Sequence, residues 1–116
     1  MNIEQVLNTL ACLAVIVFGV YAIGKPRAAA QLAGLGAVSP KGIAEIRITF
    51  GMLSLALGAA PLLLSQQAAY QTVGIAFLGA FVMRVVAILL DRPRLDQGYV
   101  ISGIFELVVG LILFLS

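Results

Sequence analysis

The sequence predicts an all-α fold, a four-helix transmembrane bundle with both termini on the non-cytoplasmic side, and three observations predict it. The 116 residues are 62% hydrophobic and 10% charged, more apolar surface than a soluble domain of that length can hide. Four segments, at about 5–24, 43–64, 71–90 and 99–116, each come close to the roughly 20 apolar residues that a bilayer crossing needs. The connecting loops differ in charge: Lys25, Arg27 and Lys41 lie in the first, Arg92 and Arg94 in the third, and "SQQAAYQ" in the second has none. By the positive-inside rule the loops at 25–42 and 91–98 are cytoplasmic. The expected location is then a bacterial inner (plasma) membrane, with residues 1–116 forming a single membrane domain.

Each element has its own signals. The first apolar run, "MNIEQVLNTLACLAVIVFGVYA", has no Lys or Arg before it and carries Glu4. That is the wrong charge for a signal peptide, so it reads as a retained span. It stops at "GKPR", where Pro26 cannot continue a helix and Lys25 and Arg27 suit a C-terminus. "RAAAQLAGLGAV" is compatible with a short interfacial helix, weakened by its glycines. The second span opens on Ser39 as N-cap with Pro40 at the first helical position, and Pro61 should kink it or tighten its last turn. The third span ends at "DRPR" and the fourth starts near Gly98. The echo of "KPR" in "RPR", and of the Gly51/Gly58 spacing in Gly103/Gly110, reads as chance in so biased a composition.

Four ionisable residues interrupt this apolar pattern: Glu45, Arg47, Arg84 and Glu106. At helical rise, Arg47 lies about 9 Å beyond Lys41, Glu45 about 6 Å beyond it, and Arg84 and Glu106 each about 10 Å from their loop. All four therefore fall in one half of the bilayer and are expected to form one polar layer. Their faces agree. Arg47 aligns with Gly51, Ser54 and Gly58, Arg84 with Ala76, Ala80 and Ala87, and Glu106 with Gly103 and Gly110. Small residues mark faces where membrane helices approach closely, so Gly51, Ser54, Gly58, Ala80, Gly103 and Gly110 are expected to be packing positions. Asn8, Cys12, Gly19 and Ala22 form a comparable stripe in the first span.

Direction separates the two arginines. Side chains lean toward the helix N-terminus. Arg47 can thus snorkel to headgroups, whereas Arg84 leans toward the bilayer centre and needs a partner. Glu106, at matching depth on the next helix, is the expected partner in an ion pair.

Composition excludes more than it specifies. Histidine is absent, which removes the commonest general base and metal ligand. No nucleophile or metal constellation accompanies the carboxylates, so no catalytic residues, metal or cofactor are predicted and an enzyme is not expected. A net charge of +2 does not suggest nucleic acid. The single cysteine, Cys12, reads as a small packing residue.

"GKPRAAAQLAGLGAVSPKGIAEIRITFGMLSLALG", followed by a third span with an arginine and a fourth with a glutamate, resembles the small four-helix bacterial membrane family called domain of unknown function 4345, whose layout is similar to that of DoxX-like proteins. The most specific part is "EIRITFGMLSLALG". The resemblance spans nearly the whole chain and implies a fold and a location, with Glu45, Arg47, Arg84 and Glu106 as characteristic polar positions and no mechanism.

Three functional readings follow. The first is a non-enzymatic structural or accessory subunit of a larger membrane assembly or homo-oligomer. The second is a bundle that binds an anionic lipid or small ligand at the polar layer. The third is a small proton-coupled transporter using Glu106.

Overall fold

The computed structural model describes residues 2–36 and 39–116. Those residues form helices and turns, with no strand among them. Four helices are long and apolar enough to cross a membrane. They are α1 (Ile3–Gly24), α3 (Pro40–Leu64), α4 (Gln67–Leu90) and α5 (Gln97–Phe114). The short α2 (Pro26–Leu32) lies between the first two. The 24 residues of α4 span about 36 Å at 1.5 Å per residue, enough for the roughly 30 Å hydrocarbon layer. The chain is thus a small helical protein of membrane-spanning character. Its outward surface is lined with side chains such as Ile3, Leu63 and Leu89, which a lipid environment accepts and water does not.

The helix ends follow local chemistry. Asn2 and Gln5 form a reciprocal capping box, with the Gln5 N–H donating to Asn2 Oδ1 at 2.8 Å. This starts α1 two residues earlier than its apolar run. Ser39 caps α3 by accepting from the Gly42 N–H at 3.0 Å, with Pro40 next. Pro61 is accommodated in the last turn of α3, which closes on Ser65 in the left-handed region at φ 54°. Asp96 caps α5 by accepting from the Tyr99 N–H at 2.9 Å. α4 begins at Gln67, four residues before the start expected from hydropathy. Its first turns carry Gln67 and Gln71, both of which donate to the Ser116 carbonyl at 2.6 and 3.3 Å. The expected interfacial helix is realised only over α2; Ala37 and Val38, at the end of that stretch, lie outside the described residues.

The helices run antiparallel and pair as two hairpins, α1 with α3 and α4 with α5. Glycines set both seams. A Cβ on Gly58 would lie 2.7 Å from the Cys12 carbonyl oxygen, and one on Gly19 would lie 2.6 Å from the Leu55 nitrogen. One on Gly74 would lie 2.5 Å from the Phe114 nitrogen. Only backbones without side chains between them come this close. Ala11, Cys12, Val15, Val73, Val109 and Leu113 form the sealed core where α1 meets the second hairpin. Asn8 sits at its end, donating to Ser116 Oγ at 3.1 Å.

The sequence pattern does not disclose one feature of α3. From Arg47 to Leu53 the helix widens to a π-helical turn. The wider turn carries an extra residue, so the faces before and after it fall out of register by one position, roughly 100°.

Candidate ligand site at the Arg84–Glu106 pair

Arg84 lies on α4 and Glu106 on α5, the two partners of the second hairpin. The Arg84 Nε–H donates to Glu106 Oε1 at 2.7 Å and Nη2 donates to Oε2 at 2.9 Å. This is the bidentate fork that a planar guanidinium forms with a carboxylate. The side chains keep 25% and 15% of their surface open, so the pair is screened from bulk yet not sealed.

The sequence of α5 builds the seat. Tyr99, Gly103 and Glu106 fall at i, i+4 and i+7 and share one helical face. Tyr99 places its ring against the guanidinium, with Arg84 Cζ 4.8 Å from the ring centroid, a cation–π contact. Its hydroxyl donates to the Arg84 carbonyl oxygen at 2.7 Å. Gly103 leaves the gap through which the arginine stem passes: a Cβ there would sit 3.1 Å from Arg84 Cδ. Tyr99 is not among the residues that the sequence singles out. Its spacing from Gly103 and Glu106 is the signal that would have assigned it to the arginine.

The pair lines a cavity of about 330 Å³ between the two hairpins, which borders the sealed core at Val15. Phe18, Phe50, Phe77 and Phe105 make its apolar wall. Phe18 spans the gap between the hairpins, its ring centroid 6.3 Å from that of Phe50 and 6.5 Å from that of Phe105. Thr49, Ser54 and Ser102 add hydroxyls, and Leu32 of α2 contributes to the wall. An apolar chamber with a few convergent polar groups is the usual form of a small-molecule site. Two of the five guanidinium N–H groups are used by Glu106; the others remain available to an acceptor.

The four-residue polar layer is not assembled. Arg84 and Glu106 come together, but Glu45 and Arg47 are exposed and belong to neither the pair nor its cavity. Arg47 lies on the α1 side of α3: Gly51, one turn further on, packs on Ile23 of α1, and Arg47 borders Lys25 and Arg27 just beyond α1, away from the second hairpin. Among the described residues the Arg84–Glu106 contact is the only salt bridge.

The packing positions divide in the same way. Gly51 and Gly58 are buried against α1, and Ser54 is half-buried on the cavity wall. Gly103 meets Arg84, and a Cβ on Gly110 would lie 2.8 Å from Leu78 Cγ. Ala80 is corrected: it is exposed, as is Ala76. The inward face of α4 is instead Phe77, Phe81 and Arg84, all half-buried, because bulky rings rather than methyl groups fill the space between the hairpins. Asn8, Cys12, Gly19 and Ala22 are all buried along α1. Among the described residues no group of three or more potential ligands could hold a metal ion.

No family model, curated protein or solved structure matches the chain.

Proposed function

We propose that the chain is a membrane-embedded binding bundle, non-enzymatic, whose cavity takes a small, largely apolar molecule with a hydrogen-bond-accepting or anionic head. One observation carries this reading: the ion pair lines an aromatic chamber of about 330 Å³ instead of being packed shut. The aromatic wall would hold the apolar body, and the spare N–H groups of Arg84 would hold the head. Glu106 and Tyr99 fix the guanidinium in place before the ligand arrives, which lowers the entropic cost of binding. The proposed setting is a bacterial inner membrane with the Arg- and Lys-bearing loops in the cytoplasm, supported by the loop charges. Membership of the family resembled by "EIRITFGMLSLALG" is proposed on the same residues.

The test uses a medium-chain fatty acid carrying a photoreactive diazirine, added to the detergent-solubilised protein. Labelled peptides should map to the cavity wall. Arg84→Gln should weaken labelling, and so should Ser54→Leu, which fills the chamber without touching the ion pair. Labelling confined to the outer faces and unchanged by both variants would refute the proposal.

A second reading, the accessory subunit, is favoured by one separate observation. Ala76, Gly79 and Ala80 form an exposed small-residue strip on α4, and a Cβ on Gly79 would meet nothing within 4 Å. Such strips suit the close approach of another membrane helix.

A further inference from the structure

Away from the cavity, at the end of the bundle where α1 hands over to α2, lies a second, open groove of about 500 Å³. It is lined by Lys25, Pro26, Arg27, Ala28, Ile43 and Arg47. Lys25 is the residue between α1 and α2, Arg27 sits in the first turn of α2, and Arg47 lies one turn beyond Ile43 on α3. Three cationic side chains, from two helices and the residue that joins α1 to α2, thus border one space.

None of the three has an acidic partner: among the described residues the only salt bridge is the one between Arg84 and Glu106. Glu45, two residues before Arg47, does not line the groove. Like charges gathered without a counter-charge repel one another, and the carbonyls ending α1 offset only a fraction of one charge. The bundle therefore presents a site whose electrostatics are completed from outside. The groove also has apolar elements, with Ala28 half-buried, Ile43 half-buried and Pro26 buried beside the exposed charges. Arg47 opens the π-helical turn one turn before Gly51, which packs on Ile23 of α1, so Arg47 comes to lie beside the residues that follow α1.

We propose that this groove binds the phosphate of an anionic phospholipid, with Arg47, Arg27 and Lys25 around the headgroup and the acyl chains descending along Ile43 into the bilayer. Arg47 supplies the planar fork that suits phosphate oxygens, and Lys25 a mobile point charge. The location fits a lipid better than a soluble anion. The groove sits where the spans end, at headgroup level, and Arg47 lies about 10 Å along α3 from Pro40, within snorkelling reach of that level. The proposal is independent of the cavity at Arg84, since no residue is shared between the two sites.

The experiment is native mass spectrometry of the whole protein released from vesicles of phosphatidylcholine containing phosphatidylglycerol. The wild type should retain phosphatidylglycerol in preference to phosphatidylcholine. Each Lys or Arg near an anionic membrane surface contributes about five-fold in binding. Lys25→Gln with Arg27→Gln should therefore reduce retention by roughly 25-fold. Arg92→Gln with Arg94→Gln removes the same charge from the other basic loop, outside the groove, and should cost much less retention. Arg47→Gln should lose retention, and Arg47→Lys should recover part of it. Circular dichroism on each variant separates loss of lipid from loss of fold. Equal loss in the two double variants would mean a diffuse surface effect and would overturn the site, as would equal retention of both lipids. Competition by inorganic phosphate at the same concentration as the lipid would assign the groove to a soluble anion and overturn the lipid.

Discussion

Replacing Gly74 with alanine puts one methyl group into the tightest part of the α4–α5 seam. That methyl would lie 2.5 Å from the Phe114 nitrogen, 2.9 Å from the Leu113 carbonyl carbon and 3.0 Å from the Gly110 oxygen. All three are backbone atoms, so no rotamer change relieves the clash. Ordinary contact begins near 3.4 Å, so the two helices must separate locally by about 1 Å, forfeiting dispersion contacts along the seam. Overpacking of this kind costs about 1–3 kcal/mol. Against it stands the helix-propensity gain of Gly→Ala, up to about 1 kcal/mol. With the full propensity gain the net effect should be destabilisation by up to about 2 kcal/mol. Gly79 on the same helix is the control. A Cβ there meets nothing within 4 Å, so Gly79→Ala keeps the propensity gain and should be neutral or stabilising by up to about 1 kcal/mol. Both variants can be unfolded in mixed micelles by titrating a denaturing detergent, with helicity followed by circular dichroism. If Gly74→Ala proves as stable as Gly79→Ala, the seam is not packed as described and the argument fails.

Two further outcomes are expected. Arg84→Ala and Glu106→Ala should each destabilise the bundle by up to about 3–5 kcal/mol, because each strands the other charge; the double variant should lose less than their sum, by about 0.5–3 kcal/mol, and strict additivity in the same titration would speak against the pair. For topology, Gln66→Cys and Gln97→Cys in a Cys12→Ala background should label differently with a membrane-impermeant maleimide on intact cells, Gln66→Cys reacting and Gln97→Cys protected; the reverse pattern would invert the proposed orientation.

Much of the architecture was legible in the residues themselves. The four apolar runs, the Ser39–Pro40 start and the stop at Pro26 are local signals, and helices that satisfy their own backbone in lipid need little else to be recognised. The pairing of Arg84 with Glu106 could also be anticipated, because rise per residue and side-chain tilt are fixed properties of an α-helix. What a single helix does not show is which neighbour its face meets. Arg47 shares a side of α3 with Gly51 and Gly58, and that side packs on α1, not on the hairpin that carries Arg84. Alignment with Arg84 and small size together point Ala80 inward, yet the direction a small residue faces depends on what its neighbours fill, and Phe77 and Phe81 take the inner side of α4.

The sequence alone determined the helical class, the span boundaries to within a few residues and the position of each charge along its helix, since each follows from hydropathy, capping and the rise of a single helix. The tertiary structure decided which charges meet. It also decided that the surviving pair borders an aromatic cavity, and that Lys25, Arg27 and Arg47 gather around a separate groove. The physical reason is that these arrangements depend on the relative rotation of neighbouring helices. That rotation is set by how the side chains of two helices interlock, which cannot be read along a single helix.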